Sequence, residues 1–563
     1  MIKKAESSTI GLILAFVAGL STLAIAPWAS FDPVNLPKLL VISMGGITCL
    51  FLLVAQGRLL LDKRYRAITL VAIAFVFDLV LVLLFAGNNL GQELYGAQGR
   101  ATGFVAYLAL TGLLLAGVFA GSTKNLSRVA YSLLVTGSLS IAYGLVQAAG
   151  ADPIKWVNQY SPVIGFLGNP NFQSSFVAFS AVMAFALVLD NRRAFMGRIA
   201  LVVYQPLALY VIKESQSQQG FLIYAGSISL LVLIYISRSR ISAITKPTLA
   251  LGVSGATFVA LGSFNKGPLA TLIYEDSVTY RGDYWWAGWN MTINHPIFGV
   301  GLDSYGDWYR RARTLEATVR RGPDITTNSA HNVLLDLSSN GGFPLLFIYL
   351  VLIALVIRSA LRVLRRSTSF DAVFAGIFAV WAGYQAQSVI SLNQLGLAVW
   401  GWTLSGLIIG WDIYSSQSAE NENVILDKKK GKIAKDVDKQ ILAPASIVGI
   451  FVGLILALVM AVPPLAASIN YKSARESGKV QLLINSAYKE PLEARRMGEV
   501  AGILGDNKLV KESVAVITDA ADKFPDYYGI WALMAQLPGV PAEQVAQAKA
   551  QMKRLDPLNP NLK

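Results

Sequence analysis

Apolar stretches of about 20 residues recur along the chain from residue 10 to residue 464, and they restrict the possible folds more than any other feature. A helix needs about 20 mostly apolar residues to cross roughly 30 Å of membrane hydrocarbon. About thirteen such stretches occur in a chain that is 54% hydrophobic and only 15% charged, with a mean hydropathy of +0.51. The sequence therefore predicts an all-α, polytopic membrane protein with about 12–13 transmembrane helices.

The net charge of +14 is explained by where the basic residues lie. Lys and Arg cluster in loops between the apolar stretches, as the positive-inside rule describes for cytoplasmic loops, and this argues against a nucleic-acid partner. The basic loops are 57–66, 122–128, 191–198, 237–246, 358–366 and 427–439. The loops predicted to lie outside are 87–100, 150–169, 213–219, 265–341, 386–394 and everything after 464. We expect a multi-pass protein of the bacterial inner (cytoplasmic) membrane, surrounded by membrane lipids, with an extracytoplasmic working face.

Composition divides the chain into four parts. These are a transmembrane domain at 1–414 with an extracytoplasmic loop at about 265–341, a flexible cytoplasmic linker at 415–442, a last transmembrane helix at 443–464 and a soluble helical tail at 465–563. Ala520 and Ala521 ahead of Pro525, followed by Trp531, resemble tetratricopeptide-like helix pairs. Such a tail commonly binds partners, here an envelope protein, and the alternative is a small bundle that shields the outer face.

The sequence Gly168-Asn169-Pro170-Asn171 lies where an outside loop meets the next apolar stretch. Pro170 suits the first turn of a helix and Asn169 suits its cap. A simple helix start is therefore one interpretation. The other is a substrate site, because Asn side chains in the outside loops are suited to binding sugars.

The loop at 265–341 combines arginines with tryptophans. Arg281 precedes Trp285, and five further arginines follow before residue 331 with no lysine among them. Guanidinium meets phosphate oxygens in a bidentate way, so arginine suits a diphosphate at a membrane surface. For Arg310, Arg311 and Arg313, contact with lipid headgroups is the favoured alternative.

Both histidines of the chain fall in this loop. His331 stands just before an apolar stretch with Asn332 beside it, and a neutral imidazole is a natural acceptor for a hydroxyl proton. His295 precedes Pro296 and a Gly-rich turn, where a structural hydrogen bond is favoured.

The sequence offers no pattern for a metal or for ATP. Cys49 is the single cysteine, no histidine cluster exists, and Asp283, Asp303 and Asp307 follow no metal-binding spacing. No Walker motif is present. We expect no cofactor, no metal and a metal-independent mechanism.

Several of these motifs, taken in order, resemble the O-antigen ligase superfamily, which also holds Wzy-type polymerases and protein O-oligosaccharyltransferases. The matching motifs are Gly-Asn-Pro-Asn at 168–171, the arginine and tryptophans at 281–289, His-Pro-Ile-Phe-Gly-Val-Gly at 295–301, Ala-His-Asn at 330–332 with Asn-Gly-Gly at 340–342, and the arginine-bearing loop 95–103. The resemblance implies a GT-C-like transferase that moves a glycan from a polyprenyl-diphosphate lipid to an acceptor hydroxyl without metal.

The resemblance also implies roles for single residues. His331 would activate or orient the acceptor, Arg281 would hold the diphosphate leaving group, and Arg100 would assist. The family usually has Ser-Arg-Gly where this chain has Ser217-Gln218-Gln219-Gly220, so Gln219 stands in place of a second phosphate contact. Gln219 still donates hydrogen bonds but brings no charge, and an arginine there is expected to be tolerated. Asn169, Asn171, Trp285 and Asn332 complete the predicted substrate-binding set.

Other functions remain open at this stage. A lipid-linked glycan flippase would show repeated halves and charges inside the spans, of which Asp78 is one of few. A scaffold would leave the arginine and histidine content of the loop unused. The acceptor can be a glycan, a lipid or a protein, because ligases, polymerases and protein glycosylating enzymes share one donor.

Overall fold

The computed structural model describes residues 4–156, 161–239, 241–263, 265–274, 276–427 and 442–562, and within these ranges it is helical, with no strand. Twelve of the described helices are long and apolar enough to cross a membrane, and Phe104–Phe119 is a shorter apolar helix. The prediction of an all-α, polytopic fold with about 12–13 membrane helices is therefore confirmed.

The helices follow in chain order. The first eleven are α1 (Lys4–Leu23), α2 (Asn35–Val54), α3 (Gly57–Leu60), α4 (Arg66–Phe85), α5 (Leu90–Tyr95), α6 (Phe104–Phe119), α7 (Thr123–Ala148), α8 (Pro170–Val188), α9 (Phe195–Glu214), α10 (Gln218–Ser237) and α11 (Thr245–Ser263). The long loop holds α12 (Ala270–Ile273), α13 (Asp276–Asn294), α14 (Tyr305–Ala312) and α15 (Leu315–Arg321). Then come α16 (Val333–Arg366), α17 (Ala372–Ile390), α18 (Leu395–Asp427) and α19 (Pro444–Ser477). The tail holds α20 (Val480–Ala487), α21 (Ala494–Asp506), α22 (Val510–Lys523), α23 (Tyr528–Met534) and α24 (Ala542–Leu555).

Glycines allow the central helices to approach backbone to backbone. A Cβ added to Gly46 of α2 would lie 2.0 Å from the carbonyl oxygen of Ala109 in α6, and one added to Gly406 of α18 would lie 2.0 Å from that of Leu114. Small residues favour such contacts in membranes, where close packing rather than hydrophobic burial holds helices together. Because α6 is buried along most of its length, its 16 residues lie at the centre of the bundle.

Helix α16 is broken at Gly342, whose φ of 74° lies in the left-handed region that glycine adopts readily. The segment 295–301 packs against this break. Val300 N–H donates to the carbonyl of Ser339 at 2.7 Å, and Phe343 N–H donates to the carbonyl of Pro296 at 2.8 Å. The two glycine-rich motifs at 295–301 and 340–342 therefore form one joint, which fixes the first turns of α16 and the residues just before them.

Four loops and the tail meet at one end of the bundle. Contacts join the loop before α6 to the long loop, as Gln92 donates to Asp307 at 2.7 Å and Arg100 donates to the carbonyl of Asn328 at 2.7 Å. The loop before α8 and the turn 391–394 line a shared cavity with them. The loops that charge patterning assigned to one side thus lie together.

The tail docks onto the long loop and is not a separate body. Asp556, which is fully buried, accepts from Arg313 at 2.7 Å and from Arg310 at 2.9 Å. Arg310 also lies over the ring of Tyr528 at 4.1 Å. The interpretation of Arg310 and Arg313 as lipid-headgroup contacts is therefore wrong, because their charges are matched by a carboxylate of the tail.

Arg311 makes a second contact of the same kind. Its guanidinium lies 3.7 Å from the ring centroid of Trp308 and pairs with Asp526 of the tail at 3.3 Å. The headgroup interpretation thus fails for this residue too. The tail is helical, as expected, while its assignment to tetratricopeptide repeats stays a prediction.

Two boundaries differ from those expected. Residues 415–427, predicted as flexible linker, continue α18, and the rest of that linker with its lysines lies largely outside the described residues. The last membrane helix does not end at residue 464, because α19 runs on to Ser477 despite Pro463 and Pro464. Helix α19 thereby carries Tyr471 into the apolar core of the tail.

Asp556→Ala is expected to lower the free energy of unfolding by about 3–5 kcal/mol, because it leaves the buried Arg313 without its carboxylate. Thermal or denaturant unfolding of the detergent-solubilised protein measures this. Asp526→Ala is the matched control, since Asp526 is 44% exposed in its ion pairs and such pairs contribute about 0–1 kcal/mol. Equal losses in the two variants would contradict a buried role for Asp556.

Candidate active site

His331 lies immediately before α16 in a left-handed backbone conformation, with φ of 52°. Its N–H donates to Ser329 Oγ at 2.9 Å, and Ser329 Oγ donates to Asp336 Oδ2 at 2.7 Å. Asn332 caps α16, because its Oδ1 accepts from the N–H groups of Leu334 and Leu335. The imidazole is thus held at the helix N-terminus by a compact turn whose polar groups are paired.

Asp336 connects this turn to Arg100. The guanidinium of Arg100 is buried and contacts two carboxylates, Asp303 at 2.7 Å and Asp336 at 3.7 Å. It also donates to the carbonyl of Asn328 at 2.7 Å. Asp303 in turn accepts from the N–H of Ala97 at 2.8 Å. Arg100 therefore joins three segments of the site, and two carboxylates oppose its positive charge.

Arg281 lies on α13 with Tyr284 one turn further along the same face. The Tyr284 ring packs on the His331 ring, with 5.5 Å between centroids. Burial, together with the positive charges of Arg281 and Arg100, lowers the pKa of His331 to about 4. The imidazole is therefore neutral at physiological pH and lies within the electrostatic reach of both arginines.

Two cavities meet at His331. One, of about 340 Å³, lies among the helix ends and is lined by Arg100, Asn169 and Asn171. The other, of about 590 Å³, extends between the long loop and the tail. His331 lines both cavities. A group bound on either side would thus approach the same imidazole.

The first cavity includes the predicted Asn169 and Asn171. Asn169 is the cap of α8, and its side chain accepts from the N–H of Asn171 at 2.9 Å. The interpretation as a helix start is therefore confirmed. The interpretation as a substrate site stays a prediction, and both residues line the cavity. Asn171 Oδ1 accepts from Ser217 Oγ at 2.6 Å, which brings the start of α10 close.

Gln219 does not line this cavity but reaches the cavity residue Asn171 through Ser175. It is buried, and its amide donates to Ser175 Oγ at 3.1 Å, which donates to the carbonyl of Asn171 at 2.6 Å. Its Oε1 has no hydrogen-bond partner among the described residues. The position is packed, so the larger arginine that the resemblance implies would need new space.

Gln219→Arg is therefore expected to cost about 1–3 kcal/mol of stability rather than to be accepted freely, because overpacking a buried position displaces its neighbours. Gln218→Arg, at the exposed preceding position, is the matched control and should change little. Thermal unfolding in detergent compares the two. A Gln219→Arg protein as stable as the Gln218→Arg protein would mean that the guanidinium reaches the cavity.

Trp285 and Asn332 line neither cavity. Trp285 packs against the apolar cluster that holds Tyr284, Tyr305 and Tyr309, and Asn332 serves as the helix cap described above. Their predicted substrate contacts stay predictions. His295 packs edge-on against Trp308 with 4.6 Å between ring centroids, away from both cavities.

Sequence reasoning missed the two buried carboxylates, Asp303 and Asp336. In the sequence, Asp303 follows no metal-binding spacing, and Asp336 lies between the motifs at 330–332 and 340–342 with no role predicted. A signal did exist, because a carboxylate placed at the start of an apolar span needs a buried partner. No group of three or more His, Cys, Asp or Glu side chains suited to a metal occurs within the described residues. Metal independence itself stays a prediction.

Comparison with protein families gives a match to the family described as O-antigen ligase over residues 178–350. The match shows that this part of the chain is similar to the O-antigen ligase family. The matched segment runs from α8 into α16, so it contains Arg281, His331 and Asp336. The resemblance seen in the motifs is confirmed there, and a glycan-transfer enzyme of the ligase type is the general function it supports. A search of curated proteins found no match.

Proposed function

We propose that this protein transfers a glycan from a polyprenyl-diphosphate lipid to an acceptor hydroxyl. One observation carries the proposal: His331 is a neutral imidazole at the junction of two cavities, within the electrostatic reach of Arg281 and Arg100. A transferase of this kind needs a proton acceptor between donor and acceptor sites and fixed positive charge at the leaving group.

The reaction can be written with these groups. The acceptor oxygen bonds to the anomeric carbon of the donor glycan and releases its proton to the imidazole of His331. The bond from that carbon to the phosphate oxygen breaks, and its electron pair leaves with the polyprenyl diphosphate. Arg281 stabilises the negative charge that develops on this leaving group.

Arg100 has a different role in this proposal from the one implied by the resemblance. Because Asp303 and Asp336 already oppose its charge, it is a positioning residue. Through the Asn328 carbonyl and Asp336 it fixes the turn 328–332 that holds His331. Asn169 and Asn171 line the side of the site on which the donor would bind.

The orientation follows from the charge pattern. Most basic residues of the membrane domain lie in the opposite loops, and several arginines at the His331 end are paired with carboxylates, namely Asp283, Asp303, Asp336, Asp526 and Asp556. By the positive-inside rule we assign this end to the extracytoplasmic side of the inner membrane. A lipid-linked donor would reach the site there from the outer leaflet.

The pH dependence of the reaction should reveal a change in the pKa of His331 on donor binding. In the free enzyme the pKa is about 4, so the acid limb of kcat/KM should lie near that pH. A bound diphosphate adds negative charge, which favours the protonated imidazole, so the acid limb of kcat should lie at higher pH. Coincident limbs in the two profiles would speak against diphosphate bound beside His331.

The test of the function uses purified protein and a labelled polyprenyl-diphosphate glycan, with EDTA present. Release of polyprenyl diphosphate coupled to a labelled product is the expected result. The product distinguishes the remaining alternatives, since a longer glycan indicates a Wzy-type polymerase and a labelled peptide indicates a protein O-oligosaccharyltransferase. Bound donor without any release would favour a flippase instead.

A further inference from the structure

The larger of the two cavities at His331 is walled on one side by the C-terminal tail. Helix α19 contributes Tyr471, the turn before α21 contributes Glu493, and the segment before α23 contributes Tyr527. The opposite wall consists of Tyr95, Asp303 and Asp307 from the membrane domain and the long loop. The tail therefore completes a compartment that ends at the imidazole.

We propose, on the basis of the function proposed above, that this compartment of about 590 Å³ is the acceptor subsite and that it takes the terminal sugars of an uncharged glycan. The tail then acts as a specificity element of the enzyme. A volume of this size falls within the roughly 300–1,000 Å³ of small-molecule sites.

The aromatic side chains of the compartment suit sugar rings. Phe31, Tyr95, Tyr471 and Tyr527 line it, and Phe31 and Tyr471 make an edge contact with ring centroids 4.8 Å apart. Rings of this kind present a flat apolar face and, for tyrosine, a hydroxyl at its edge. A pyranose likewise has apolar C–H faces and a rim of hydroxyl groups, so the two surfaces are complementary.

Four carboxyl groups are among the polar side chains of the compartment. Asp32, Asp303, Asp307 and Glu493 line the compartment, and Oε1 of Glu493 has no hydrogen-bond partner among the described residues. Burial raises the pKa of Glu493 to about 7 and that of Asp307 to about 6, so these carboxyls can both donate and accept near neutral pH. Hydroxyl groups of a glycan would supply a donor for the Glu493 oxygen that has no partner among the described residues.

The same carboxyls discriminate against anions. A phosphorylated or carboxylated acceptor would bring its charge close to Asp32, Asp307 and Glu493, while the charge of Asp303 is already opposed by Arg100. Arg495 and Arg496 lie on the same wall and would oppose the repulsion. Arg496 is largely engaged with the carbonyl groups of Lys489 and Pro491. The compartment therefore favours neutral sugars over lipid phosphates or acidic peptides.

The test measures binding without turnover. The probe is the glycan released from the lipid donor by mild acid, titrated calorimetrically into the full-length protein. Glu493→Gln and Tyr527→Ala should each weaken its binding by about tenfold or more, which corresponds to about 1.4 kcal/mol. Glu543→Gln, which changes an exposed carboxylate of the same tail, is the matched control and should bind like the wild type. Tyr527→Phe, which keeps the ring, guards against a folding defect in Tyr527→Ala.

Two further probes decide the acceptor class. The same glycan carrying a terminal phosphate and a serine-containing peptide should both bind at least tenfold more weakly than the neutral glycan. Equal or tighter binding of either would overturn the inference, as would unchanged affinity in Glu493→Gln and Tyr527→Ala. His331→Ala should still bind the glycan, because the subsite does not depend on the imidazole. If the wild type fails to cleave the donor, the proposed function is wrong. The binding affinities test the acceptor subsite independently of that result.

Discussion

His331→Ala is expected to lower the rate of glycan transfer by about 10²–10⁴-fold, the usual contribution of a positioned general base. The imidazole lines both cavities, and its backbone is fixed by Ser329 and by the cap at Asn332, so removing it deletes the proton acceptor without opening the fold. Transfer from a labelled polyprenyl-diphosphate glycan measures the loss.

Two further variants separate chemistry from folding. His331→Asn keeps a residue type that accepts the φ of 52° well and should lose activity to a similar extent. His295→Ala changes the other histidine of the loop, which packs on Trp308 away from the cavities, and should retain most of the activity. Retained transfer in both His331 variants would remove this residue from the mechanism.

Hydropathy and charge were sufficient to predict the membrane helices, because each span depends on a continuous run of side chains. The same holds for two residues of the proposed mechanism. Arg281 and His331 stood out because the loop has no lysine between them and contains both histidines of the chain. These are local signals that need no knowledge of how distant segments pack.

The missed features depend on partners far apart in sequence. Arg313 and Asp556 are 243 positions apart, and Arg100 meets Asp303 and Asp336 from a different loop. An arginine near a membrane surface has the same local pattern whether it meets phosphate or a buried carboxylate. Only the folded arrangement decides between the two, and here it pairs Arg313 with Asp556 of the tail and Arg100 with Asp303 and Asp336.

The joint between 295–301 and the break in α16 was hidden for a different reason. Gly341, Gly342 and Pro344 precede an apolar run, and this sequence pattern is also typical of the start of a span. In the structure α16 is broken at Gly342, and segment 295–301 supplies hydrogen-bond partners at the break. Two motifs that look like separate active-site signals are thus one structural support for His331.

Arg281→Ala is expected to reduce transfer by about 10²–10³-fold, the effect of removing one preorganised charge from a developing oxyanion. Arg281→Lys should recover only part of the rate, because an ammonium keeps the charge but not the bidentate geometry. Arg320→Ala is the matched control. Arg320 lies in the same loop and pairs with Asp283 at 2.7 Å, but its side chain is 44% exposed, so little change is expected.

The pH profile tests whether Arg281 acts through its charge at His331. Its positive charge helps to hold the pKa of His331 near 4, so its removal should move that pKa back towards the ordinary value of 6.5. The acid limb of kcat/KM should therefore shift to higher pH in Arg281→Ala and stay in place in Arg281→Lys and Arg320→Ala. A rate loss without this shift would mean that Arg281 lies too far from the imidazole to share a diphosphate with it.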